Sequence, residues 1–353
     1  MDYRRLGSSE LCVSRLGLGT MTFGSARGGA LGSVDAAQAS KLLDMCIDAG
    51  VNLVDTADVY GKGDCETVLG EALGPRRNKL ILASKVGGRM GSGPFDMGSS
   101  KRHILASCEA SLKRLRTDHL DLYQLHKWDG STPVEETLAA LDRLVHDGKV
   151  RYIGCSNYSC WHTMKTLCIA KKLQYPVLVS QQIHYSVESR DAEFELVPMG
   201  IDQGVGILVW APLAGGLLTG KFKRGMSGPE GSRHFALQWH EPPIYNQDRL
   251  FDIVEALQAV ADQRACTVAQ LAIAWLLHQP GISSVLFGAR TAQQLSDNLV
   301  AAQIELTPEE LEAIDLASRP QLPYPYWHQA LTHSSRLSAA DLSLLSKYQT
   351  QAE

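Results

Sequence analysis

The stretch VNLVDTADVYGKGDCETVLGEALGPRRNKLILASK, residues 51–85, reads as one strand–helix–strand unit. Val51 to Asp55 is a short apolar run ending on a carboxylate, Cys65 to Leu73 carries helical spacing, and Leu80 to Lys85 is a second apolar run ending on an amine. Two such runs joined by a helix point to parallel pairing, because parallel strands need a long crossover connection.

Working outward, the same alternation continues in both directions. Leu16 to Gly19 precedes as a first strand, with a helix from about Val34 to Ala49 that Gly50 closes. Downstream come a helix capped by Ser99 and running to Leu115, a strand Leu120 to His126, and a Pro133-initiated helix to about His146. A strand Tyr152 to Ser156 follows, then a helix Trp161 to Lys172 and strands at Val177 to Ile183, Gly206 to Ala211 and Ser284 to Phe287. Eight strand–helix units with no composition break predict one closed (β/α)8 TIM barrel, an α/β fold, over residues 1–353. Residues 1–15 lie outside the repeat and read as an N-terminal β-hairpin, and 320–353 as a Pro- and aromatic-rich tail covering one end. The irregular stretch Gly215 to Asn246 is a long loop at the C-terminal face, of a length usually reserved for function.

Composition bounds what the chain does. At 44% hydrophobic and 20% charged residues it has ample material for a core, and a net charge of -4 provides no basic field for nucleic acid or an anionic membrane. No run approaches a membrane span, and MDYRRLGSSELCVS lacks the layout of a signal peptide, so a cytoplasmic protein is expected. The eight cysteines form no Cys-x-x-Cys pair, and His162, His184, His234 and His240 stand isolated, so neither disulfides nor a metal site is expected. Whether the chain forms a homo-oligomer stays open.

In a parallel barrel the C-terminal ends of the strands share one mouth, where active sites are found. Asp55, Lys85 and His126 end three adjacent strands, and Tyr60 lies five residues past Asp55. Singly, each has a plain alternative: a helix cap, a surface amine, a core imidazole, a loop aromatic. Together, four such groups at one end of neighbouring strands are hard to ascribe to packing. A lysine in an apolar strand is costly unless paired, and Asp55 is its natural partner. A nearby ammonium stabilises a phenolate, so Lys85 would tune Tyr60 as a proton donor or acceptor. His126 would orient a carbonyl and hold charge developing on its oxygen. An electron source is missing from this set.

In these motifs the chain resembles the aldo-keto reductase family, in its aryl-alcohol-dehydrogenase-like and potassium-channel β-subunit-like branch. NLVDTADVYG, ASK and YQLH match the family's Asp-Tyr-Lys-His tetrad at Asp55, Tyr60, Lys85 and His126. The resemblance implies hydride transfer from NADPH to an aldehyde or ketone, reversible with NADP⁺. It carries cofactor contacts onto Gly19, Thr20 and Met21 in LGLGTMTFG, onto Asp55, onto Ser156 and Asn157 in GCSNY, and onto Gln182. Trp210 stands where most relatives stack a tyrosine on the nicotinamide. PLAGGLLTGK is similar to the loop that folds over the pyrophosphate, with Pro212, Leu213, Gly215, Gly216, Leu218 and Lys221 as its contacts. FGARTAQQLSDN resembles the adenosine-binding segment, with Gly288, Arg290, Gln294 and Asn298, and an arginine beside a helix start favours the 2′-phosphate of NADPH.

Competing readings are weaker. Gly215 and Gly220-Lys221 satisfy G-x4-G-K, but Phe222 occupies the place of the magnesium-binding hydroxyl. Gly17-x-Gly19 lacks the third glycine of a dinucleotide fingerprint. A metal-dependent hydrolase using Asp55 and His126 has an incomplete ligand set. A cofactor-sensing regulatory subunit, like the channel subunits of the resembled family, is the main alternative. Trp161, Trp239, Tyr245 and Tyr326 are candidate pocket walls for a small carbonyl substrate whose identity the sequence leaves open.

Overall fold

A computed structural model describes residues 1–24, 33–225, 228, 242–332 and 335–349. His234, Trp239 and His240 lie outside these residues. Strands β3 (Leu16–Gly19), β4 (Leu53–Asp55), β5 (Ile81–Val86), β6 (Leu120–Leu125), β7 (Val150–Ser156), β8 (Leu178–His184), β9 (Gly206–Trp210) and β10 (Ile282–Phe287) form a closed parallel barrel, with β10 pairing β3 to complete the ring. Ahead of it, β1 (Tyr3–Arg5) and β2 (Cys12–Ser14) pair as an antiparallel hairpin.

The period of two along each strand divides inside from outside. Leu53, Ala83, Leu122, Leu208 and Leu286 pack together within the barrel, while Val54, Leu82, Tyr123 and Val209 belong to the larger core shared with the helices. Gly17 is forced by this filling: a Cβ there would stand 2.7 Å from a Leu286 methyl and 3.1 Å from one of Leu53. The hairpin supplies Leu6 and Val13 to the inner cluster, each fully buried. Such burial contributes roughly 1.5–3 kcal/mol per side chain, which gives the hairpin reason to plug one end of the barrel. At the tip of that plug, Gly7 takes φ +59 with a Cβ position 2.4 Å from the Gly204 carbonyl, a place only glycine fits.

Several element boundaries differ from the sequence reading, each for a local reason. The first helix is Ala36–Asp48, because Asp35 accepts from the Gln38 N–H and Val34 is drawn into a bridge with Phe23. Strand β4 begins at Leu53, since Asn52 spends its side chain on Ser14 and Cys12 of the hairpin. Ser100, not Ser99, caps the helix Lys101–Leu115; the Ser99 N–H is held by Asp129. In the tail, the helix Ala339–Gln349 packs against the helix Leu196–Gln203, with Lys347 reaching Glu193 and Gln279.

Candidate functional site

Alternation carries Asp55, Lys85 and Gln124 inward, one step above the apolar filling, on β4, β5 and β6. Lys85 is fully buried and its ammonium ion-pairs with Asp55. The same nitrogen donates to the Thr56 carbonyl at 2.9 Å and lies 3.3 Å from the Tyr60 hydroxyl. The other Asp55 oxygen accepts from Gln124 at 3.0 Å and from Gln182 at 2.9 Å. A buried charge pair survives only when its remaining lone pairs and protons are satisfied, and here they are.

Tyr60 and His126 meet edge to face, with ring centroids 5.8 Å apart. Burial raises the Tyr60 phenol above its usual pKa, and the opposing pull of Lys85 does not reverse it. Desolvation and the Lys85 ammonium thus act on the phenol in opposite directions, with desolvation the larger. The Lys85 ammonium is raised, with burial opposed and outweighed by Asp55 and Tyr60. The His126 imidazole is lowered to about 3, first by burial and then by Lys85 and Lys127, so it is neutral and offers one N–H. A protonated phenol braced by an ammonium, beside a neutral N–H donor, can deliver a proton to an oxygen while stabilising negative charge on it.

The remaining residues singled out in the sequence fall around this mouth. Gly19 pairs with Asp55 across β3 and β4, and Thr20 bonds the Asp55 carbonyl through both its N–H and its hydroxyl. Met21 is half-buried in the loop that follows. Ser156 ends β7 and donates to the Gln182 carbonyl at 3.0 Å. Asn157, exposed at φ +57, donates to the His126 carbonyl and accepts from the Trp210 indole N–H at 3.0 Å. Trp210 ends β9 with His184 4.8 Å away between ring centroids.

Farther out, Pro212 is buried, Leu213 is half-buried, and Leu218 is fully buried in the core, leaving Leu218 only its backbone for any ligand. Gly215 is half-buried beside Gly216, and Lys221 is exposed. Nothing lies within 4 Å of where a Cβ would stand at Gly216 or Gly288, so both backbones are open to a bound group. Thr291 caps the helix Ala292–Val300; the Gln294 side-chain Oε1 accepts from the Arg290 backbone N–H at 2.8 Å, and the Asn298 side-chain amide reaches the Gly288 carbonyl. Among the described residues no His, Cys, Asp and Glu cluster could hold a metal ion. Trp161 and Tyr245 are exposed, and Tyr326 stacks on Phe194.

Sequence reasoning missed Gln124 and the Thr56 carbonyl as partners of the charge pair. Gln124 was within reach of the strand period, since it stands two residues before His126 in LDLYQLH. The Thr56 contact had no signal, because a backbone carbonyl has no sequence signature.

A sequence model described as "Aldo/keto reductase family" matches residues 15–319. The chain is 36% identical over 338 residues to a "Probable voltage-gated potassium channel subunit beta" of Arabidopsis thaliana, covering 92% of this chain and 100% of that one. It is 37% identical over 326 residues to the "Uncharacterized oxidoreductase YrpG" of Bacillus subtilis (strain 168), covering 89% and 95%. A second "Probable voltage-gated potassium channel subunit beta", from Oryza sativa subsp. japonica, is 36% identical over 340 residues, covering 92% and 100%.

Proposed function

We propose, from the premise that this chain belongs to the aldo/keto reductase family, that it reduces an aldehyde or ketone to an alcohol with NADPH, reversibly, using Tyr60 as the general acid. Family membership and the oxidoreductase relative support oxidoreduction in general. The carrying observation for the finer reading is the Lys85 ammonium, committed to Asp55 and 3.3 Å from the Tyr60 hydroxyl.

The residues fit a dinucleotide laid across the mouth. Ser156, Asn157 and Trp210 would hold its nicotinamide end, the open backbones at Gly216 and Gly288 would pass its phosphates and ribose, and Arg290 beside a helix start would take the 2′-phosphate. When bound, that group supplies the hydride for the carbonyl carbon. The chain's own residues do the rest. Tyr60 and His126 hold the carbonyl oxygen between two donors, and the phenolic proton passes to that oxygen as it gains charge. The Lys85–Asp55 pair stabilises the phenolate left behind, and Gln124 and Gln182 keep Asp55 in place.

The test is NADPH oxidation by the purified protein over a panel of aromatic and aliphatic aldehydes and ketones. Turnover with any of them supports the reading. Tight NADPH binding with no turnover on any would favour a cofactor-sensing regulatory subunit, the second reading, which the two channel-subunit relatives aligned over their whole length support.

A further inference from the structure

Two residues before Tyr60, Asp58 is fully buried, and among the described residues no hydrogen bond of ordinary geometry reaches either carboxylate oxygen. The adjacent Val59 N–H acts on it from the backbone and favours the charged form, against burial and Glu66. Buried polar groups without partners are rare, and each asks for an explanation. Four side chains from four elements are coupled to it electrostatically. Glu66 comes from the helix Asp64–Leu73, Arg114 from the helix Lys101–Leu115, Lys85 from β5, and Tyr123 from β6.

Counting charges decides the state of Asp58. Glu66 is satisfied on both oxygens, by the Ser84 hydroxyl at 2.5 Å and by Arg114 at 2.6 and 2.8 Å. Lys85 is committed to Asp55. Each cation coupled to Asp58 thus already serves another carboxylate, and Asp58 is a third acid with no countercharge. The Tyr123 phenol, which feels the charge of Asp58, is buried and its hydroxyl is equally without a partner among the described residues.

We propose that Asp58 is a positioning residue, held as a buried neutral acid, whose ionisation displaces the turn carrying Tyr60 and weakens the site on the alkaline side. Burial, and then Glu66, push the carboxyl up to about 7, which sets where this happens. The turn is short: the Asp58 N–H donates to the Lys85 carbonyl, and the Tyr60 N–H to the Ala57 carbonyl, each at 3.3 Å. A carboxylate formed beside Glu66 must draw in water or move. Moving it shifts the backbone between Asp55 and Tyr60, and with it the 3.3 Å approach of the phenol to Lys85. The Tyr60 phenol, itself raised by burial, does not titrate in that range.

The effect on activity rests on the reading that Tyr60 protonates a carbonyl, so the test has one arm that needs no turnover. Asp58→Asn keeps the shape and cannot ionise. An acid whose pKa is raised by folding costs stability as pH climbs from its unfolded value through its folded one. The melting temperature of Asp58→Asn should therefore match wild type near pH 4 and exceed it increasingly up to about pH 8. In the second arm, wild-type kcat should fall severalfold between about pH 6 and about pH 8.5 with the NADPH KM steady, while Asp58→Asn stays flat. Should Asp58→Asn fail to fold, Tyr123→Phe removes the buried hydroxyl coupled to Asp58 and should move the midpoint of the alkaline fall. A melting difference independent of pH, or an alkaline fall unchanged in the variant, would overturn the proposal. A pH-following melting difference with no turnover on any carbonyl would instead overturn the enzymatic reading.

Discussion

The Lys85 ammonium lies 3.3 Å from the Tyr60 hydroxyl while ion-paired to Asp55 inside the barrel. One nitrogen thus links a buried carboxylate to a half-buried phenol at the rim, and the consequences divide between chemistry and stability.

Tyr60→Phe removes the hydroxyl 3.3 Å from Lys85 and keeps the edge-to-face ring contact with His126. Turnover should fall by about 10²–10⁴, the usual worth of a positioned general acid, with NADPH affinity within about threefold of wild type. Steady-state kinetics beside a fluorescence titration of the cofactor checks both halves. A variant keeping most of its activity would remove Tyr60 from the mechanism.

Lys85→Met leaves Asp55 buried without its countercharge. Breaking a buried pair from one side costs about 3–5 kcal/mol, so the urea midpoint should drop markedly and activity should be lost with it. Combining Lys85→Met with Asp55→Leu should recover much of the stability and none of the activity, because no charge is then stranded. A double variant no more stable than the single one would contradict this account of the pair.

His126 is held at about 3 in the folded protein, below its ordinary 6.5. Between those values the unfolded chain takes up a proton that the folded one refuses, so stability falls as pH drops through that window and is unaffected above it. His126→Asn should therefore gain melting temperature relative to wild type on acidification from about pH 7 to about pH 4.5. No inflection in activity between about pH 5 and about pH 8 should belong to this imidazole.

Arg290→Leu should weaken NADPH binding by about 10–100-fold, the worth of one or two charge-assisted hydrogen bonds to a phosphate, and leave NADH binding almost unchanged. Isothermal titration with both dinucleotides measures the ratio. Equal losses for the two would move the 2′-phosphate away from Arg290.

Sequence periodicity alone determined the barrel: short apolar runs alternating with helical stretches allow few other closed parallel arrangements. It also marked Asp55, Lys85 and His126, because a strand's end in such a barrel is a position legible from the chain. What only the tertiary structure decided is how these groups share their protons. Gln124 and Gln182 are far apart in sequence yet meet on one oxygen of Asp55, a consequence of strand register around the closed ring. The Tyr60 phenol stays protonated despite its ammonium neighbour because desolvation depends on everything packed around a group, and no local motif encodes that. Asp58 sits in the same DTADVYG motif as Asp55 and is just as acidic on paper. Only folding, which gives Asp55 a lysine and Asp58 none, separates the two carboxylates.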